Sequence, residues 1–318
     1  MADTDNMDVK GGRFVLLKDE EGGEFQLYHY EDLIQAKYLP LMFEPKEFFS
    51  SIKNLQYKKG DIFVCAYPKS GNHWFSNIIN HMLSTKDLDE IEFINVPLLE
   101  TPIMKTLQER PSPRLFVSHL PDSRLPRLHF ENGGKIILIL RNPKDVVVSY
   151  WYHLSKDRHL GCSLSWSGFL EHFMKGNVLF GSYFDYLKKW QRLIQDQKYS
   201  SILYVYYEDL KERPLEELQK VQKFLGTDGT THRLNQIITK CSFNNLKSNV
   251  DSGRLRTTLV DENKQPFVYR KGEIGDWMNH FTVLQNKQFD ELLDRELKDS
   301  IFKFRYRPST HRIPKHQL

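Results

Sequence analysis

Lys69, Ser70 and Gly71 follow a run of buried character, Phe63-Val64-Cys65-Ala66, and stand at the head of a helical pattern. Trp74, Phe75, Ile78, Ile79, Met82 and Leu83 fall on one face of a 3.6-residue period. Pro68 and Gly71 make the turn between strand and helix. Such a turn presents unpaired backbone N–H groups and the positive end of a helix dipole, so it suits an anion. Lys69 adds a full charge and Ser70 a hydroxyl. The order differs from the nucleotide loop G-x-x-x-x-G-K-[ST]: the first glycine is missing, and the lysine precedes Ser-Gly. Taken alone, Tyr67–Trp74 reads as an anion-binding loop or as an ordinary strand-to-helix turn with a solvent-facing lysine. It does not select the anion.

Other residues have chemistry to offer. His119, in a turn before Leu120-Pro121, can serve as general base on a hydroxyl or amine, an effect of about 10²–10⁴ in rate, or be a satisfied turn histidine. Arg141 can take a phosphate bidentately, with Ser149 two turns into the following helix, or simply flank that helix. Arg270-Lys271-Gly272 reads as a second phosphate contact or as a solvated charge cluster. Trp74, Tyr207 and Phe243 can stack on a base or pack a core. No H-E-x-x-H or other metal spacing occurs.

These residues need elements to position them. Strands are predicted at 61–66, 114–118, 135–140 and 202–206, the third β-branched and unalternating, as in a parallel strand buried on both faces. Helices are predicted at 46–54, 71–84, 99–109, from Pro143 with Asn142 as N-cap, and at 182–197, 214–225 and 232–240. Thr282 and Gln285 make a capping box for a last helix, with Leu284, Phe289, Leu292, Leu293 and Leu297 facing inward. Alternating strands and helices imply an α/β fold: a single P-loop-like domain, with a central, mainly parallel sheet flanked by helices on both faces. Lys69, His119, Arg141 and Tyr207 then lie at the carboxyl ends of four strands, the edge where open parallel sheets bind ligands. Residues 1–24 read as a mobile arm, 25–310 as the domain and 311–318 as a tail. Residues 242–276 have almost no periodicity, which suggests a disordered stretch or a functional lid.

The 318 residues carry a net charge of +4, compatible with an anionic ligand and too weak to argue for nucleic acid or a membrane. Cys65, Cys162 and Cys241 are scattered and odd in number, without C-x-x-C. The acidic start Met-Ala-Asp-Thr-Asp-Asn lacks the regions of a signal peptide, and no apolar run spans a bilayer. The expectation is a reduced, cytoplasmic protein.

Together the motifs resemble the cytosolic sulfotransferases over about residues 40–305. The family loop Y-P-K-S-G-T-T-W appears as Tyr67-Pro68-Lys69-Ser70-Gly71-Asn72-His73-Trp74, and H-L-P as His119-Leu120-Pro121. R-N-x-K-D-x-x-x-S-Y appears as Arg141–Tyr150, Y-E-D as Tyr207-Glu208-Asp209, and R-K-G-x-x-G-D-W as Arg270–Trp277. The resemblance implies the donor 3′-phosphoadenosine 5′-phosphosulfate (PAPS), with product adenosine 3′,5′-bisphosphate (PAP), and no metal. It places the phosphosulfate on Lys69, Ser70, Gly71, Asn72 and His73, and the 3′-phosphate on Arg141, Ser149, Arg270, Lys271 and Gly272. It surrounds the adenine with Trp74, Tyr207 and Phe243, with Cys241 two residues before Phe243. His119, Lys69 and Ser149 are the implied catalytic set, and 245–276 the implied lid.

Four departures from the family stand out: Asn72 and His73 replace two threonines, Val117 a lysine, and Cys241 a threonine. The dimerisation motif keeps Thr282-Val283 but carries Met278 and Lys287 at its charged ends, which leaves monomer and homodimer both open. The acceptor is expected to be a small phenol, alcohol, steroid or amine, in a pocket drawn from Phe43, Phe48, Phe49, Tyr152, Trp166, Phe169 and Phe267. Competing readings are a PAPS-binding protein without turnover, a small-molecule kinase, and an enzyme that dehydrates an alcohol by way of sulfation.

Overall fold

A computed structural model describes residues 8–94, 96, 98–101, 108–196 and 201–309. The chain opens with strands β1 (Asp8–Val9), β2 (Gly12–Lys18), β3 (Glu24–Tyr30) and β4 (Leu33–Ala36), an antiparallel sheet in that order. The arm expected over 1–24 is therefore folded from Asp8 onward; residues 1–7 lie outside the described residues. The glycines that suggested mobility are hairpin turns. Lys10 and Gly11 have φ of 53° and 79°, the positive values a two-residue hairpin requires. Phe25, Leu27 and Tyr28 are buried in the main core, and the Tyr28 hydroxyl donates to the Val9 carbonyl at 2.6 Å.

The second sheet contains β5 (Ile62–Ala66), β6 (Leu115–Ser118), β7 (Lys135–Leu140) and β8 (Ile202–Tyr206), all parallel, in the order β6-β5-β7-β8. Alternate residues of β5 and β7 enter opposite cores. Phe63, Cys65, Ile136 and Leu138 join one, and Val64, Ala66, Ile137 and Ile139 join the other. Burial on both faces is why these strands read as unbroken apolar runs. A buried ion pair of Arg114 with Asp61 ties the starts of β5 and β6.

The described helices are α1 (Leu39–Met42), α2 (Pro45–Lys53), α3 (Asn72–Leu83), α4 (Arg127–Glu131), α5 (Pro143–Lys156), α6 (Trp166–Met174), α7 (Tyr183–Gln195), α8 (Tyr207–Glu212), α9 (Pro214–Leu225), α10 (Thr231–Lys240), α11 (Phe243–Asp251) and α12 (Val283–Glu296). Asn142 caps α5 by accepting from the Asp145 N–H, and Gly226 ends α9 with φ 67°. Thr282 and Gln285 close both bonds of the capping box. Leu284 does not face inward: it is 64% exposed, because it lies on the outer side of the first turn of α12. The stretch read as unperiodic begins with α11, whose Leu246 and Val250, one turn apart, are buried. The helix predicted near 99–109 falls largely outside the described residues, as does the tail 311–318.

The chain runs from β5 to β6 on one side and then crosses to β7 on the other. The crevice between the β5 and β7 ends is thus the switch point where such sheets bind ligands.

Candidate active site

The β5–α3 loop is bent at two places. Lys69 has φ 69°, rare for a side-chain-bearing residue, and Gly71, the N-cap of α3, has φ 112°. A Cβ at Gly71 would meet the Tyr207 ring at 2.9 Å, so the loop packs against the β8 end only without one. The Ser70 hydroxyl is buried with no protein partner, as is the Arg141 Nε–H. Buried donors without partners are costly, so these two point to an anion. Arg141 is held across the crevice. Its Nη1 donates to the Lys69 carbonyl at 2.8 Å, and its guanidinium lies 4.3 Å over the Tyr207 ring.

His119 sits at the β6 end. Its Nδ1 is 2.7 Å from the Ala66 carbonyl, to which it must donate, since a carbonyl has no proton to give. The ring proton is therefore on Nδ1, and Nε2 keeps its lone pair. The Asn72 amide also approaches Nδ1, at 3.4 Å. Burial, partly opposed by the Ala66 bond, takes the imidazole down to about 4, with the charges of His73 and Lys69 acting in the same direction as burial. Glu100 holds the turn: it accepts the His119 N–H at 2.6 Å and the Ser118 hydroxyl at 2.8 Å. Burial raises its carboxyl to about 7.

The Lys69 ammonium lies 3.3 Å from His153 Nδ1. Burial first, then the charges of Arg141 and Arg270, bring it down to about 7. His153 was not among the residues singled out from the sequence, although a signal existed: it is four residues after Ser149, on the same face of α5. Ser149, half-buried, thereby shares the helix face that meets Lys69.

At the far end, Arg270 and Lys271 each bind Asp276 at 2.5 Å. Burial pushes the Asp276 carboxyl up, but hydrogen bonds from Lys271, Arg270 and Asn279 win and hold it well below the usual range. Arg270 also stacks over Tyr152 at 4.3 Å. Gly272 has φ 67° and presses on Phe243, where a Cβ would stand 2.3 Å from the ring. Asp145 anchors this turn by accepting the Gly275 and Trp277 N–H groups at 2.7 and 3.0 Å. Glu208 steadies the neighbouring strand end by accepting the Asn142 N–H at 2.9 Å, and burial raises its carboxyl to about 7.

The aromatic residues form a second group. The Trp74 and Tyr207 rings meet edge to face at 5.4 Å, and Phe243 contacts Tyr269 at 5.9 Å. Lys211, unforeseen from the sequence, lies 5.5 Å from the Trp74 ring and 6.0 Å from Phe243. Cys241 contributes its carbonyl, which accepts the Trp74 indole N–H at 2.8 Å; its thiol is buried in the core, and burial raises it to about 12. His73, in the first turn of α3, lines a small cavity with Arg256, Val268 and Tyr269. Val117 lies in the sheet core and brings no charge to the site.

The aromatic residues assigned to an acceptor pocket separate. Phe169 is core, packed on Tyr150 and Phe173, and Phe48 and Phe49 are buried beside Tyr30 and Phe43. Their apolar surface is taken up by the N-terminal sheet and by α6. Tyr152 carries Arg270. Phe267 stays at the site, 5.3 Å from His153, and Phe180 joins it against His119 at 5.1 Å.

The arrangement is an anion cradle at a helix N-terminus, a neutral imidazole with a free Nε2, a buried lysine and a distant pair of cations. The sulfotransferase-domain family matches residues 59–301. Sulfotransferase 1B1 of Canis lupus familiaris is 36% identical over 280 residues, covering 84% of this chain and 93% of that protein. Sulfotransferase 1 family member D1 of Mus musculus is 36% identical over 288 residues, covering 86% and 96%. The crystal structure of mouse sulfotransferase SULT7A1 complexed with PAP superposes with a TM-score of 0.72 at 30% identity, covering 86% of this chain and 95% of that one. The chain belongs to the sulfotransferase family and is an enzyme of sulfuryl transfer.

Proposed function

We propose that the chain transfers the sulfuryl group of PAPS to a hydroxyl or amine of a small, largely apolar acceptor, with His119 as base. The observation that carries this reading is the His119 tautomer. With Nδ1–H held by the Ala66 carbonyl, Nε2 is left unprotonated on a ring that Asn72 of the Lys69 loop approaches at 3.4 Å.

The site fits such a donor on its own evidence. The orphaned Ser70 hydroxyl and Arg141 Nε–H offer donors to anionic oxygens. Gly71 and Gly272 let the Tyr207 and Phe243 rings close onto the backbone, which sets two of the three aromatic residues around the crevice. Ser70, Gly71, Asn72 and His73, with Lys69, would hold the phosphosulfate. Arg141, Ser149, Arg270, Lys271 and Gly272 would hold the 3′-phosphate, and Trp74, Tyr207 and Phe243 would surround the base. Asp276 already sets Arg270 and Lys271 side by side. That mouse SULT7A1 is complexed with PAP supports the assignment.

The donor supplies an activated sulfuryl group with a phosphate leaving group. His119 Nε2 takes the acceptor's proton as its oxygen or nitrogen attacks, and the Lys69 ammonium faces the oxygen on which negative charge grows. Phe180 and Phe267 wall the acceptor side. The segment 245–276 would close the site, because it already brings Phe267 to His153 and Tyr269 to Phe243. No described helix is long and apolar enough to cross a membrane, which suits the proposed cytoplasmic location.

Thermal melting tests the donor: PAP should raise the midpoint where ATP does not. The opposite pattern would refute the donor assignment. Labelled-sulfate transfer to phenols, alcohols and amines then tests the reaction, and a consumed alcohol without a sulfated product would favour dehydration.

A further inference from the structure

We propose that His153 is a positioning residue for the transfer reaction: its Nδ1 receives the Lys69 ammonium, keeping it charged and aimed across the loop. The proposal rests on the reading that Lys69 serves the transferring group.

An ammonium only donates, so at 3.3 Å the His153 Nδ1 must be the acceptor and the ring proton must sit on Nε2. The two imidazoles beside the loop are thus opposite tautomers. His119 is protonated at Nδ1 and offers Nε2 to take a proton. His153 is protonated at Nε2 and offers Nδ1 to hold a cation.

Lys69 needs that acceptor because its other surroundings disfavour its charge. Arg141 at the β7 end and Arg270 on the 245–276 segment are cations that oppose it, whereas the imidazoles of His73 on α3 and His119 at the β6 end face His153. The carboxylate that favours the charge is Asp157, at the C-terminus of α5, and no salt bridge joins it to Lys69 among the described residues. Asp276 is already engaged by Arg270, Lys271 and Asn279. Val117, in the sheet core, brings no charge there.

His153 is suited to remain the neutral acceptor. Burial, with Phe267 packed against the ring at 5.3 Å, and then the Lys69 charge, pull it well below its ordinary value. It therefore accepts throughout the neutral range. The α5 helix that carries it is anchored at its start by the Asn142 cap and by Asp145.

The test measures Lys69 directly, on the ligand-free protein. Its modification by an amine-directed reagent is followed against pH, with peptide mapping of Lys69, in the wild type, His153→Phe and His153→Asn. Replacing His153 with Phe should lower the midpoint by about one pH unit, roughly tenfold in the ratio of charged to neutral lysine. Sulfate transfer at pH 7 should fall several-fold in kcat. The Asn variant keeps an oxygen acceptor and should restore both. An unchanged midpoint in the Phe variant, even with slower transfer, overturns the proposal. Should that variant fail to fold by circular dichroism, His153→Ala carries the same expectation. Because no donor or acceptor enters the modification assay, its outcome is independent of whether PAPS is the donor.

Discussion

The two cationic ends of the site are built by opposite rules. Arg270 and Lys271 are locked to a carboxylate, Asp276, whose own charge they secure. Lys69 has no carboxylate partner among the described residues. It rests on a neutral imidazole, and burial lowers it to about 7. A cation shared with a carboxylate is well oriented but half neutralised, which suits holding a group that does not react. A cation on a neutral acceptor keeps its full field in a poorly solvated place, which suits charge that develops during a reaction. On the proposed reading, one end binds and the other reacts.

The largest effect should come from the reacting end. Changing His119 to Ala should lower transfer by about 10²–10⁴ and leave PAP binding within a few-fold, measured by labelled-sulfate transfer and titration calorimetry. Retained turnover would remove His119 as base. At the binding end the pattern should reverse. Gly272→Ala places a Cβ against Phe243 at a positive φ, a strain of about 1–3 kcal/mol. PAP affinity should drop roughly tenfold while kcat at saturating donor changes little. A loss confined to kcat would dissolve the distinction between the ends.

Asp145→Ala deprives the Gly275 and Trp277 N–H groups of a buried acceptor. Each orphaned group costs about 1–3 kcal/mol, so the denaturation midpoint should fall together with PAP affinity. The pH dependence is gentler. With His119 near 4 and Lys69 near 7, kcat/KM should rise through pH 4 and decline above pH 7. Lys69→Arg should remove the alkaline decline. For stability the sign is opposite. A lysine lowered in the folded state binds fewer protons there than in the unfolded chain, so its contribution should rise with pH from about 7 to its unfolded value near 10.4. Guanidinium unfolding of wild type and Lys69→Met across that range checks it. The smallest change should follow Lys211→Met, a few-fold weaker PAP binding, since its charge lies over rings rather than on a phosphate.

The parallel sheet, its order of elements and the strand-end residues were legible because they rest on local signals: unbroken apolar runs, the Asn142-Pro143 start and the Tyr67–Trp74 turn. The N-terminal sheet was not. Leu17 is the one buried residue of β2, and glycines at 11–12 and 22–23 look the same in a hairpin as in a loose arm. Leu284 was misread because helical period alone does not say which side of a first turn meets the core. The pocket aromatics failed for a related reason, since Phe48, Phe49 and Phe169 are apolar whether they line a cavity or fill a core.

What the sequence determined was the backbone of the cradle: a strand, a turn with Gly71 and a helix start, a geometry that suits an anion, with Lys69 and Ser70 beside it. Tertiary structure decided everything that depends on distance. It fixed the tautomer of His119 through the Ala66 carbonyl, set Asp276 between Arg270 and Lys271, and brought His153, 84 positions away in the chain, to Lys69. A periodic pattern is written along the chain, whereas a buried lysine's partner depends on which helix face the packed sheet turns toward it.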